Sequence, residues 1–248
     1  MKKTLLAIAL ASSLTSFGAV AADKAPEPDF SISGNFSLFS DYRFRGMSQT
    51  DTAPALQGGF DMAHKSGVYL GTWSSNVSGW ANTGGNGQEI DIYGGYKFGL
   101  GPVGLDVGYL AYIYPDNTPS PSQGTREFYM GASYGPVAYK ISRTTGNWFG
   151  FCSGSSGSIY HDLSLSGSLS EKLSYSVHVG SQDVKCSAED YDFTDYKVGL
   201  SYDLGNSFSL GVAYVTTSGL KEEAKDNFTQ SGTKLYEGGA VVSITKTF

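Results

Sequence analysis

Between Phe30 and Phe44 apolar and polar side chains alternate. Phe30, Ile32, Phe36, Leu38, Tyr42 and Phe44 share one parity, and Ser31, Ser33, Asn35, Ser37, Asp41 and Arg43 share the other, with Phe39 the exception. Period two is the mark of a strand with one apolar and one polar face. The same alternation recurs along the chain and predicts strands near 30–44, 54–64, 68–75, 88–98, 103–114, 126–134, 137–144, 158–168, 173–182, 194–202, 207–216 and 235–248. In the fourth, Ile90, Ile92, Tyr96 and Phe98 oppose Glu89, Asp91, Tyr93 and Lys97. In the fifth, Val103, Leu105, Val107, Tyr109 and Ile113 oppose Asp106, Tyr112 and Tyr114.

The connections alternate in length. After even-numbered strands they are short (65–67, 99–102, 135–136, 169–172, 203–206), and after odd-numbered strands they are long (45–53, 76–87, 115–125, 145–157, 183–193, 217–234). Transmembrane barrels have short periplasmic turns and longer outside loops. A soluble sandwich or lipocalin has no membrane to impose that asymmetry. The pattern therefore predicts an all-β chain, a transmembrane antiparallel up-and-down β-barrel of about twelve strands, with both ends on the periplasmic side. Phe98, Tyr134, Tyr202, Phe208 and Phe248 fall beside the short turns as a periplasmic aromatic girdle, and Phe44, Tyr214 and Tyr236 fall near the long loops as an outer one.

The ends agree with export. Lys2 and Lys3 precede a short apolar stretch, and Ala19-Val20-Ala21 has the small-x-small pattern of a cleavage site, so residues 1–21 read as a signal peptide and 22–248 as one barrel domain. The chain closes on Phe248, and a terminal aromatic after an alternating strand resembles the signal that barrel-assembly machinery reads. Mean hydropathy is −0.19 and no apolar run reaches helix-spanning length, which excludes a helical membrane protein. The chain carries 17 basic and 23 acidic residues, a balance that excludes nucleic acid as a partner. The expected surroundings are outer-membrane lipid and lipopolysaccharide.

Cys152 and Cys186 lie in adjacent long loops, and a cysteine pair exported into an oxidising compartment is expected to form a disulfide. No catalytic constellation stands out: among three histidines, only His178 points inward at mid-strand, with ordinary polar residues as its expected neighbours. No metal-ligand spacing involves the cysteines, and Glu189, Asp190 and Asp192 read as a solvated acidic loop before a calcium site. No cofactor and no enzyme activity are expected.

The polar parity is charged. Asp41, Arg43, Arg45, Asp61, Glu89, Asp91, Lys97, Asp106, Glu127, Lys140, Asp162, Lys197 and Glu237 face inward with His178. Such charges need water or each other; they line a wet channel, or they pair across a narrow lumen and plug it. Asp41, Arg43, Arg45, Glu89, Asp91, Glu127 and Glu237 cluster at the long-loop end, where Arg43 and Glu237 would pair between the first and last strands. Whether loop 217–234 folds into the mouth stays open.

Ser40-Asp41-Tyr42-Arg43-Phe44-Arg45-Gly46-Met47-Ser48-Gln49-Thr50, followed by Pro54-Ala55-Leu56-Gln57-Gly58-Gly59, resembles the N-terminal signature of the TorF family. Later blocks, among them Glu89 to Tyr96 and Asp195 to Leu200, are similar to that family too. The resemblance implies a proteobacterial outer-membrane barrel, called a porin by analogy. The signature itself is either a device that builds the first hairpin or the mouth of a pore. The expected function is passive diffusion of small hydrophilic solutes or ions, with a non-conducting structural or loop-presenting barrel as the alternative. If the mouth ring filters ions, Arg43→Ala and Arg45→Ala shift reversal potentials toward cation selectivity, and unchanged potentials refute that role.

Overall fold

The computed structural model describes residues 29–78, 87–115, 123–187 and 189–248; the expected signal peptide lies outside them. Twelve barrel strands follow one another: β1 (Phe30–Phe39), β2 (Ala55–His64), β3 (Val68–Asn76), β4 (Gln88–Leu100), β5 (Val103–Ile113), β6 (Thr125–Tyr134), β7 (Val137–Thr144), β8 (Ile159–Ser168), β9 (Leu173–Asp183), β10 (Phe193–Gly205), β11 (Phe208–Ser218) and β12 (Gly239–Thr247). Each pairs antiparallel with its chain neighbours, and β1 pairs with β12 from Asn35–Thr247 to Phe39–Ser243, which closes the barrel. Phe248 extends the seam: its amide donates to Gly34 O and its carbonyl accepts from Gly34 N. A closed sheet leaves no unpaired edge, the condition for strands to cross lipid.

Burial follows the alternation. Ile32 is 75 % exposed, Leu100 70 % and Val198 60 %, all on the outward parity, whereas the opposite parity holds Ser37, Gln57, Glu89, Asp106 and Asp162, all buried. The outside is an apolar belt and the inside is polar. Among the described residues no helix is long and apolar enough to cross a membrane; the strands do the crossing. Phe98, Tyr134, Tyr202, Phe208 and Phe248 are exposed on the belt beside the short turns, as expected of the periplasmic girdle.

Ten strands lie within three residues of their expected bounds, and the two at the seam do not. The first strand ends at Phe39 instead of Phe44, because Asp41 accepts hydrogen bonds from the Ser48 and Thr50 hydroxyls at 2.6 and 3.3 Å and folds the chain back on itself. The last begins at Gly239 instead of 235; Leu235 and Tyr236 belong to the preceding loop, where Leu235 N donates to Phe228 O. Consequently Phe44 and Tyr236 leave the outer girdle for the interior, packed against the buried cluster at the mouth, while Tyr214 stays on the belt at 56 % exposure.

The two faces predict opposite tolerance. Val198→Arg at mid-strand on the belt is expected to cost about 2–4 kcal/mol, the range for a cation at the bilayer midplane; Ser201→Arg on the inner face is expected to cost much less. Equilibrium unfolding in lipid vesicles measures both, and equal costs would overturn the assignment of faces.

Candidate functional site: a lumen closed by its first loop

The stretch 40–54 does not arch over the barrel. It enters it, so that Tyr42, Met47, Ser48, Gln49 and Thr50 are nearly all without solvent exposure. Its core is a small hairpin in which Arg43–Phe44 pairs with Met47–Ser48. Arg45 and Gly46 make the turn with φ of +46° and +83°, the two positive φ angles that a two-residue turn between right-twisted strands needs. Asp41 is the hub: its carboxylate takes Arg43 Nε at 2.5 Å as well as the two hydroxyls. The Gln49 amide donates to Tyr42 O at 2.7 Å and the Ser48 amide to Leu235 O at 2.9 Å, fastening the hairpin to its own stem and to the last loop.

Arg45 anchors the tip. Its Nη2 donates to both Glu127 oxygens at 2.7 Å and its Nη1 to Gln182 Oε1 at 2.8 Å. The guanidinium also lies 4.1 Å from the ring centre of Tyr160 and 4.9 Å from that of Phe44. A non-glycine residue at positive φ is uncommon and persists where its surroundings over-determine it; a buried ion pair, an amide and two aromatic faces do so here. Around the hairpin Phe44 meets Tyr112 and Phe149, each edge-on at 5.5 Å, and Tyr42 meets Trp73 at 5.3 Å. The space left among Phe44, Arg45, Met47 and Phe228 is about 10 Å³, at the lower limit for one water.

A second layer covers the first. Cys152 and Cys186 are bridged, with Cα atoms 5.8 Å apart. Beside the bridge Phe151, Tyr191 and Phe228 pack together, with Phe151 and Phe228 rings 4.9 Å apart. Loop 217–234 therefore does fold inward in part: Leu220, Ala224 and Phe228 are buried, while Glu222 and Glu223 stay exposed. The acidic stretch at 189–192 serves this layer. Glu189 accepts from Tyr191 OH and Asn227 Nδ2, and Asp192 accepts from Val184 N. Burial, followed by bonding to Glu189, holds the Tyr191 hydroxyl well above its usual pKa, and burial raises that of Asp192. Among the described residues no group of His, Cys, Asp or Glu is arranged to hold a metal ion.

Below the hairpin the lumen is polar. On one wall Lys97 lies over the Tyr69 ring, and Tyr69 and Tyr93 donate to Asp106 and Asp61 at 2.7 and 2.8 Å. On the other, His178 is not among ordinary polar neighbours as expected. Its Nδ1 lies 3.1 Å from Asp162 and its Nε2 2.9 Å from Asp195, with Tyr160 OH donating to Asp195 at 2.9 Å. The strand register explains the meeting: Asp162 pairs across to Lys140 and Gly180, Gly180 to Asp195, and His178 to Lys197 and Ser164. Gly180 leaves room for the Tyr160 ring that a Cβ would occupy. Ser164 Oγ donates to Asp162 at 2.7 Å and also lies 3.2 Å from His178 Nδ1, so the serine joins the same cluster.

Of the residues singled out from sequence, Asp61, Glu89, Asp91, Lys97, Asp106, Glu127, Lys140, Asp162, His178 and Lys197 face the lumen from strands, joined by Asp195. Asp41, Arg43 and Arg45 are inside too, carried there by the hairpin instead of a strand. The expected pairing of Arg43 with the Glu237 carboxylate does not occur. Arg43 Nη1 donates to the Glu237 backbone carbonyl at 2.6 Å, and that carboxylate lies exposed, 3.1 Å from Lys234, because β12 starts two residues later. Sequence reasoning missed Tyr160, Trp148, Phe149 and Phe228; the density of aromatics in 148–151 was the available signal.

A closed twelve-stranded barrel with an apolar outside and a charged inside is a transmembrane β-barrel of the bacterial outer membrane, porin-like in architecture. The chain belongs to the family described as "Bacterial protein of unknown function (Gcw_chp)", whose model matches residues 23–248. No curated protein matches it in sequence. Among solved structures it is similar to the KdgM porin, at TM-score 0.55 and 7 % identity over 87 % of this chain and 99 % of that one. It is also similar to the NanC porin, at TM-score 0.54 and 10 % identity over 87 % and 98 %. At such identities the likeness is one of fold.

Removing Arg45 leaves Glu127 buried without its cation, a loss of about 3–5 kcal/mol for a broken buried pair. In Arg45→Ala the amides of 41–50 are therefore expected to exchange with solvent at least about a hundredfold faster, at 1.36 kcal/mol per tenfold. Unchanged protection in the refolded barrel would mean that packing alone seats the hairpin.

Proposed function

We propose that the protein is an outer-membrane channel for small hydrophilic solutes or ions, held closed in this conformation by its first loop. The observation that carries the reading is the wall beneath the hairpin. It bears Asp61, Lys97, Asp106, Lys140, Asp162, His178, Asp195 and Lys197, spread from β2 to β10, and Ser174, Ser176, Gly199, Ser201, Gly211, Ala213 and Ser243 add small residues from β9 to β12. Charges and hydroxyls on that face are at home beside water and costly beside anything else.

The resemblance of 40–50 to the TorF signature supports the same reading and gives that signature a job, closing the mouth. The KdgM porin has been solved in complex with disordered oligogalacturonate, which supports solute passage through barrels of this shape. Lipopolysaccharide outside and the assembly machinery that reads Phe248 are the partners this reading carries. A second reading, a permanently sealed scaffold that presents its loops, draws on the complete burial of Phe228, Leu235 and Ala224 over the hairpin.

Planar-bilayer recording separates the two. A channel gated by its first loop shows infrequent openings in the intact protein and sustained conductance once 42–49 is deleted. A barrel that remains heat-modifiable on gels yet is silent in both forms is the scaffold.

A further inference from the structure

Resting on the channel reading above, we propose that the open channel selects small cations, inorganic ions and compact organic ammonium groups, and that Glu89 and Asp91 are the residues that set this preference. They lie two positions apart on the inward face of β4, at the level of the hairpin. Each arginine of the hairpin is already matched, Arg43 by Asp41 and Arg45 by Glu127. Among the described residues Glu89 and Asp91 make no ion pair. Glu89 is 1 % exposed; Tyr42 OH of the hairpin donates to Oε1 at 3.2 Å and the Tyr114 hydroxyl also bonds the carboxylate, while no direct contact satisfies Oε2. Asp91 Oδ1 is buried without a partner as well.

A third orphan lies at the same level. Gln57 is 4 % exposed with Nε2 unpartnered, and the register runs from Gln57 through Ser75 to Glu89 across three strands. Three buried polar groups at one level of the wall, each with an unpaired atom, belong to a surface built to meet something polar, and here the hairpin covers it with Tyr42. When the hairpin withdraws, water and ions reach the pair, and free carboxylates are ionised at neutral pH. The rest of the lumen does not cancel them. Five basic side chains (Arg43, Arg45, Lys97, Lys140, Lys197) stand against eight carboxylates, so that even a charged His178 leaves an acidic excess. Uncompensated carboxylates at a mouth favour cations and disfavour anions, which makes this lumen ill-suited to a polyanionic sugar.

The test is the reversal potential of the purified, refolded protein under a potassium chloride gradient, for wild type, the isosteric double variant Glu89→Gln/Asp91→Asn, and both in the background lacking 42–49. Cation preference is expected in wild type, falling about fivefold for each carboxylate removed, the factor an ion gains 4 Å from one unit charge in bulk water. Triethylammonium in place of potassium should still carry current. Heat-modifiability on gels confirms that the variants fold. Conductance with anion preference, or with a cation preference the double variant leaves unchanged, overturns this assignment while the channel stands. Silence from every folded form overturns the channel reading and this assignment with it.

Discussion

Everything in this structure follows from the backbone's need for hydrogen bonds where there is no water. Lipid offers the peptide groups no partner, so a sheet that crosses it must close on itself. The seam between β1 and β12, continued by Phe248 on Gly34, supplies that closure. Once the sheet is closed, alternate side chains are committed to two unlike media. Leucine, valine and aromatic rings take the lipid side, and what remains for the inside is hydroxyls, glycine and charge. A barrel of this strand number lies between those whose side chains fill the interior and those that leave a broad channel, which gives a segment of the chain itself room to occupy the mouth.

The segment that does so has its own internal logic. A carboxylate hub at Asp41 and a tight turn at Arg45-Gly46 make the hairpin, and its apolar residues, Tyr42, Phe44 and Met47, find aromatic neighbours from β3, β5 and the loop at 148–151. The disulfide and Phe228 lie over that seal. Closure is thus built in layers, one ionic at the tip, one aromatic around it, and one covalent above. The ionic layer is concentrated in a single residue, whereas the aromatic one is spread across many.

Electrostatics divides the lumen the same way. Below the arginines acids and bases interleave: Lys97 with Asp61 and Asp106 toward the periplasmic end, and His178 at mid-strand between Asp162 and Asp195, which lie in the outer halves of β8 and β10. At the mouth the balance fails, because two arginines face four carboxylates. That imbalance sits where the hairpin seats. Tyr160 spans the two regions, touching Arg45 above and Asp195 and His178 below.

How much of this was legible beforehand depended on the range of the forces involved. The strands, their faces, the alternation of turn and loop lengths and the periplasmic girdle are all local consequences of a period-two pattern beside lipid, and ten strands could be bounded to within three residues. The lumen charges were legible as a set for the same reason. The fate of 40–50 was not. Apart from Phe39 and Ser40 its alternation continues that of β1, since Phe44 needs an apolar neighbourhood whether it faces lipid or the inside of a protein. Its partners, Glu127 and Gln182, stand 82 and 137 residues further along the chain. By itself the sequence determined that this chain makes a charged, closed barrel; only the tertiary structure decided that its mouth is shut, because the contacts that shut it join residues no local pattern connects.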